Sequence, residues 1–486
     1  MSVKKNLLYT FLLSLSQVLF PLLSIPYISR VLTHEGIGRV GFIDSLTYYF
    51  IVIAEFGIVT YGIREVARKR GDPNGLKKLV SELLSLHIIT SLISMGIYLV
   101  LLIAFYRQVE DIRLVFFSLS FLLVNAFYCE WYFWGTEKFK YITIRSLITR
   151  ILGLASIFLL VNKAEDYILY YAIIAGTAAI NLLWNFFRLS KEVGISFRSL
   201  QWQKHLSAVS VTYRISLVYS VVIMLDNVFL QLLSTSIAVA YYMFAAKIVR
   251  IASALVTDTL LVMYPRTVTQ VYNNKKEEMQ SLVQQSAQII VLTTIPMAIG
   301  LMLLADKLTL VYFGAAFLPL AVNLKILSLY PFLKAFGLFL NKQLLMPFDK
   351  EKFVLRGLTV GMFVFIGSTI PLSSYFADRG MSISIMLSEL AVVGMNVFYT
   401  RESGVKISKI VFANCLHAIF GALCFVPVIY FAEQVSADLL VQLILAIVLC
   451  VVLYFIVLIL VRNTLALRLV QTLQFQFTQK QRSREV

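Results

Sequence analysis

Of 486 residues, 59% are hydrophobic and only 14% charged, and the mean hydropathy is +0.82. A water-soluble domain cannot carry that balance, because its surface would be largely apolar. The formal charge of +17 does not indicate nucleic-acid binding either, since the Lys and Arg residues sit in short segments between apolar stretches rather than on one polar face.

Apolar stretches long enough to cross a bilayer, roughly 20 residues, recur along the whole chain. In order they are Leu7–Val31, Val40–Gly62, Leu79–Tyr106, Ile112–Gly135, Tyr141–Val161 and Ile168–Arg188. A polar link, Arg188–His205, precedes Leu206–Leu233, Ala238–Tyr264, Ser281–Ala305, Pro319–Leu345, Val354–Ser373 and Ser382–Thr400. Ile410–Phe431 and Leu439–Val461 complete about fourteen helices, and a basic, Gln-rich tail follows. The expected class is all-α and polytopic. The first span is too long for a removable signal peptide and contains Pro21 and Pro26. Lys and Arg concentrate in alternate connections: Arg64–Lys78, Lys138–Arg145, Arg188–Lys204 and Arg462–Val486. That asymmetry places both termini in the cytoplasm. The connections on the other side are short.

The spacing divides the chain as six, six and two. It gives an N-terminal lobe over 1–195, a C-terminal lobe over 196–405, two added helices over 406–462 and a cytoplasmic tail over 463–486. Two such lobes meeting at a central site is the usual plan of secondary transporters. Cys129, Cys415, Cys424 and Cys450 form no CxxC pair and the four histidines are scattered, so no disulfide framework and no metal site is read from them.

Charges within the spans each need a reason, since one at mid-bilayer costs about 2.5–3.5 kcal/mol even on the lenient scale. Six cations qualify: Arg150, Arg214, Lys247, Arg250, Lys325 and Lys334. Asp44, Glu55, Glu130, Asp226, Asp258 and Glu389 are the acids. Spans seven and eight form a hairpin turning near Ser236, which sets Asp226 level with Lys247 and Arg214 level with Asp258. Glu130 is level with Arg150 in the same way. Asp44 and Glu55, about three turns apart, share one face of the second span. Helix-to-helix ion pairs are the plain reading; a basic wall for a bulky anion facing an acidic wall for a proton or metal ion is the functional one. The run Trp131-Tyr132-Phe133-Trp134 reads as an interfacial aromatic belt, with a sugar-stacking platform as the rival.

Several short motifs occur in order. Pro26-Tyr27-Ile28-Ser29-Arg30-Val31-Leu32 precedes Gly36-Ile37-Gly38, and Glu55-Phe56-Gly57 runs on to Tyr61-Gly62-Ile63-Arg64-Glu65. Trp131 to Lys138, Leu225-Asp226, Ala240-Tyr241-Tyr242 and Ala245-Ala246-Lys247 follow, then Pro265, Pro296 and Phe313-Gly314. Together they resemble the Wzx-type polysaccharide flippases of the multidrug/oligosaccharidyl-lipid/polysaccharide (MOP) exporter superfamily, over nearly the whole chain; Trp134 stands where that pattern usually has Gln. The resemblance implies a V-shaped, MATE-like fold. It implies translocation, by alternating access, of an undecaprenyl-diphosphate-linked oligosaccharide, such as an O-antigen repeat unit, to the outer leaflet. No catalytic residue and no cofactor are expected. The diphosphate and glycan would meet Arg30, Arg150, Arg214, Lys247, Arg250, Lys325 and Lys334, and Asp44, Glu55, Glu130, Asp226 and Glu389 are the candidates for ion coupling. Implied partners are the lipid-linked oligosaccharide, membrane lipid, H⁺ or Na⁺, and a polysaccharide polymerase and chain-length regulator.

Other readings are a MATE-type multidrug/cation antiporter, lipid II or teichoic-acid export, and a membrane polymerase or glycosyltransferase. Five cations in one lobe argue against a cationic drug. Short outer loops, whose only acidic doublets are Glu110-Asp111 and Glu165-Asp166, argue against an enzyme. With no Gly-rich phosphate loop, energy would come from an ion gradient or from the substrate's own gradient.

Overall fold

The computed structural model describes residues 3–104, 109–196, 201–273, 275–401 and 408–467. The helices run α1 Val3–Val31, α2 His34–Glu55, α3 Ile58–Arg68, α4 Pro73–Ala104, α5 Ile112–Asn125 and α6 Glu130–Gly135. Next come α7 Phe139–Leu160, α8 Tyr167–Val193, α9 Leu206–Met224, α10 Asp226–Leu233, α11 Ser236–Tyr272 and α12 Lys276–Phe313. The remainder are α13 Leu320–Leu327, α14 Tyr330–Phe339, α15 Glu351–Thr400, α16 Ser408–Leu423, α17 Phe425–Val435 and α18 Leu439–Leu460. No strand occurs among the described residues.

Among the described residues, twelve stretches are long and apolar enough to cross a membrane. One of them, α15, is 50 residues long, about 75 Å at 1.5 Å per residue and more than twice a hydrocarbon core. It breaks at Ala377, where φ is 50° and ψ −126°, and so supplies two crossings. The pair α9–α10, divided at Leu225, supplies one more. The count then reaches the fourteen expected from sequence.

Local chemistry sets the ends. Thr33 caps α2 by accepting from Gly36 N, Asp111 caps α5 through Arg113 N, and Asp438 caps α18 through Leu440 N and Val441 N. The second expected span, Val40–Gly62, is not continuous. Phe56 and Gly57 both adopt left-handed backbone, φ 46° and 75°, which ends α2 and starts α3 in a new direction. Gly57 is required twice over: a Cβ there would also lie 2.8 Å from Tyr213 N on α9. The fourth span likewise breaks between α5 and α6, and the tenth is divided into α13, α14 and a π-helical turn, Leu340–Leu345.

The described residues fall into two compact units, drawn from Met1–Met243 with Ser373–Asp378 and from Phe244–Leu372 with Arg379–Val486. In the first, α2 packs on α4, α5, α8, α9 and α10. One of its cores gathers Leu79, Leu83, Val66 and Ile142 around Trp131 and Phe133. In the second, α12 packs on α13, α14, α16 and α18.

Candidate functional site

The aromatic run forms α6, and Trp131, Tyr132 and Phe133 are buried in that core. A Cβ on Gly62 would meet the Trp131 ring at 2.8 Å. Three of the four rings are therefore packing residues, not an exposed belt or a sugar platform; the alternation of exposed and buried rings that a belt needs is lost in so short a helix. Trp134 alone is half-buried, and its Nε1 donates to Glu130 Oε1 at 3.2 Å.

Glu130 is a hub. Its Oε2 accepts from Arg145 Nη2 at 2.6 Å and from Asn185 Nδ2 at 3.4 Å, joining α6, α7 and α8. Its partner is Arg145, not the Arg150 that helix level suggested: α7 begins at Phe139, so its first turns already lie inside the bundle and Arg145 is 1% exposed. Arg150 instead donates to Ser16 Oγ and to the Leu13 carbonyl, pinning α7 to α1. Sequence reading placed Arg145 in a connecting segment, and the start of α7 was the signal missed.

At the Thr33 end of the same unit, Arg39 bridges Glu110 at 2.5 Å and Glu35 at 2.6 Å. Glu110 also accepts from Gln231 Nε2 at 3.1 Å and Ser236 Oγ at 2.9 Å. Asp111 accepts from Tyr167 OH at 2.6 Å and pairs with Arg113 at 2.8 Å. The hydrogen bonds from Arg113, then that from Tyr167, pull its carboxyl down to about 2. At the other end, buried Glu82 holds Lys204 at 2.7 Å and His205 Nε2 at 3.0 Å. The Tyr61 hydroxyl sits 2.8 Å from the other nitrogen of that ring. Ser81 Oγ accepts from Ser196 N, and Glu82 Oε1 from Gln201 N. Both ends of the α8–α9 link are thus fastened to α4.

The remaining first-unit candidates sit on α1, α2, α9 and α10. Arg30 is exposed and donates to the Pro26 carbonyl at 2.7 Å. Asp44 and Glu55 are half-buried on α2. Asp226 is buried, with Oδ2 accepting from Tyr242 OH at 2.7 Å and Oδ1 from Asn227 N. The Arg214 side chain lies outside the described residues.

In the second unit Lys247 and Arg250 are half-buried on α11. Lys325 pairs with Asp306 and Lys334 with Glu389, each at 2.7 Å. Only the second pair is secluded: Glu389 is 6% exposed. A cavity of about 530 Å³ opens between α12, α17 and α18. Leu304, Phe425, Leu443 and Val451 are among its walls. The hydroxyls that border it are already occupied: Tyr454 OH donates to the Leu292 carbonyl at 2.7 Å and Thr293 Oγ1 to the Ile289 carbonyl at 2.6 Å. No charged side chain lines it. Among the described residues no three His, Cys, Asp or Glu side chains gather at a spacing that would hold a metal ion.

The sequence profile of the polysaccharide biosynthesis protein family matches residues 3–271, more than half of the chain. The chain belongs to that family. Two relatives of this polysaccharide biosynthesis protein are each assigned as an O-antigen transporter. The one from Shigella dysenteriae is 25% identical over 406 residues, which is 80% of this chain and 98% of the relative. The one from Escherichia coli (strain K12) is 24% identical over 83% of this chain and 98% of its own length. Among solved structures, the lipid II flippase MurJ in an inward closed conformation superposes with a TM-score of 0.71 at 13% identity, covering 94% of this chain and all of its own. An inward-facing multidrug resistance MATE family transporter of the MOP superfamily follows, with a TM-score of 0.63 at 15% identity over 81% of this chain and 95% of its own. At such identities the structures show the fold alone, and that fold is the polytopic MOP fold expected. The Wzx-type resemblance agrees with the family match and with the O-antigen transporter relatives. The relatives are transporters and flippases rather than enzymes.

Proposed function

We propose that this inner-membrane protein translocates an undecaprenyl-diphosphate-linked oligosaccharide repeat unit from the cytoplasmic to the outer leaflet by alternating access, with both termini in the cytoplasm and the 1–195 and 196–405 lobes as its moving parts. The observation that carries this reading is the cavity of α12, α17 and α18. Its volume is about 530 Å³ and its few hydroxyls are bound to backbone, so it suits a long hydrocarbon chain and offers a cationic drug neither a carboxylate nor a free acceptor. The O-antigen transporter relatives support the same substrate class.

The diphosphate contacts belong to the set Arg30, Arg150, Arg214, Lys247, Arg250, Lys325 and Lys334. Lys325 and Lys334 enter with Asp306 and Glu389 as partners, so their charge reaches a phosphate only as those pairs open. For coupling to H⁺ or Na⁺, Glu130 and Glu389 are held by Arg145 and Lys334 and Asp226 accepts from Tyr242. Asp44 and Glu55, which share one face of α2, are the coupling carboxylates of this proposal. A polysaccharide polymerase and a chain-length regulator are the proposed protein partners.

The test is reconstitution into liposomes with a fluorescent polyprenyl-diphosphate oligosaccharide, scored by its accessibility to an external lectin. Protein-dependent exposure is expected, and Asp44→Asn should remove its stimulation by an imposed proton gradient. Expulsion of a cationic dye with no movement of the glycolipid would overturn the reading in favour of multidrug efflux.

A further inference from the structure

The tenth span ends in the π-helical turn Leu340–Leu345. A π turn inserts one extra residue per turn at the expense of good helical packing, and such turns concentrate at functional sites. This one carries Asn341, Lys342 and Gln343 in succession, three polar side chains where a crossing helix would ordinarily be apolar. Lys342 lies three residues before the expected end of its span and was not counted among the intramembrane cations.

The structure turns Lys342 onto α11. Its Nζ stands 4.8 Å from the centroid of the Tyr264 ring, and the residue is half-buried. One turn along the same face of α11, Thr267 Oγ1 donates to Gln343 Oε1. Gln343 is fully buried, and its Nε2 has no hydrogen-bond partner. Both side chains thus approach α11 at points about one helical turn apart, the ammonium over the Tyr264 ring and the Gln343 amide at Thr267. Lys342 differs from Lys325 and Lys334 in one respect: among the described residues no carboxylate lies within ion-pair distance of it. The aromatic face offsets part of the charge but accepts no hydrogen bond of the strength an ammonium makes to an anion. A half-buried cation and a fully buried donor without acceptors are both costly to keep, and one anionic group could meet both.

We propose that Lys342 and the Gln343 amide form a phosphate-binding site on the π-helical turn against Tyr264 and Thr267. Assigning the phosphate to the transported lipid rests on the proposed function. The same chemistry is presented by an anionic phospholipid headgroup, and the experiment separates the two.

Purified full-length protein is placed in phosphatidylcholine nanodiscs, and affinities for farnesyl diphosphate and for short-chain phosphatidylglycerol are read by ligand-dependent thermal stabilisation. Wild type should bind at least one of them. Lys342→Met should weaken that binding about tenfold or more, Lys342→Arg should keep most of it, and Lys352→Met, an exposed cation outside the site, should change nothing. A preference for the diphosphate assigns the site to substrate, and a preference for phosphatidylglycerol assigns it to bulk lipid. Unchanged affinity in Lys342→Met overturns the site, as does a loss of thermal stability in that variant with affinity intact, or no binding of either probe by wild type. Reconstituted transport separates this from the function itself: a Lys342→Met protein that moves glycolipid at the wild-type rate removes the site and leaves the function. A wild type that binds diphosphate through Lys342 and moves nothing removes the function and leaves the site.

Discussion

The two units use charge differently. In the first, carboxylates are junctions: Glu130 joins α6, α7 and α8, Glu82 ties α4 to the α8–α9 link, and Glu110 gathers Arg39, Gln231 and Ser236. In the second, among the described residues, each paired carboxylate meets one cation, as Asp306 with Lys325, Glu433 with Lys307 and Glu389 with Lys334. A junction fixes the relative positions of several helices and suits a scaffold. A single pair holds two side chains and can exchange one partner for an anionic ligand, which suits a binding surface. Burial, not the number of pairs, decides what each contributes to stability.

That contrast predicts the largest effect at Glu130 and Arg145. Each single change, Glu130→Ala or Arg145→Met, strands a charge that is almost wholly enclosed and should cost about 3–5 kcal/mol. The double change should recover much of that loss. The exposed pair Lys325–Asp306, with side chains 40% and 54% exposed, should cost at most about 1 kcal/mol when broken. Thermal unfolding of the detergent-solubilised variants, arranged as two double-mutant cycles, measures both. Equal coupling energies in the two cycles would erase the distinction.

Glycine packing gives the next effect. A Cβ at Gly38 on α2 would lie 1.7 Å from the Ser236 carbonyl oxygen at the start of α11, whereas at Gly367 on α15 it would meet nothing within 4 Å. Gly38→Ala must push backbone from backbone and should lower stability by about 1–3 kcal/mol or more. Gly367→Ala should be neutral or gain up to about 1 kcal/mol from helix propensity. Comparable losses in both would mean that the tight contact of the first unit does not hold it together.

Apolar run length made the fourteen crossings legible in the sequence, because spanning a bilayer is mainly a matter of consecutive apolar residues. What it could not show were breaks inside a run. Phe56-Gly57 and Leu225 interrupt helices without interrupting hydropathy, and each redirects the side chains after it, whereas the break at Ala377 falls in the polar link already expected between Ser373 and Ser382. Helix level alone paired Glu130 with Arg150, but rotation about the helix axis chose Arg145. Lys342 and Glu82 were passed over although both lie inside expected spans, each three residues from an end, of Pro319–Leu345 and of Leu79–Tyr106 respectively. The ordered motifs carried the family more surely than any single charge did, since a family pattern records spacing that periodicity cannot.

The smallest effect concerns acid. Asp111 stands outside the crossings, at the cap of α5, and its carboxyl is drawn from an ordinary 3.8 down to about 2, chiefly by Arg113 and then by Tyr167. A carboxyl whose pKa is depressed by folding contributes stability above its unfolded value and loses it as pH falls through the folded one. The contribution is therefore complete at neutral pH and disappears between about pH 4 and pH 2. Arg113 is 66% exposed, so solvent screens the pair and the whole effect should be about 1 kcal/mol. Asp111→Asn should lower thermal stability by that amount at pH 7 and flatten its decline over the acid window. Tyr167→Phe should do less, because it leaves the arginine in place. A wild-type profile no steeper than that of Asp111→Asn between pH 4 and pH 2 would show that this end of the first unit is held by Arg39 and Glu110 alone.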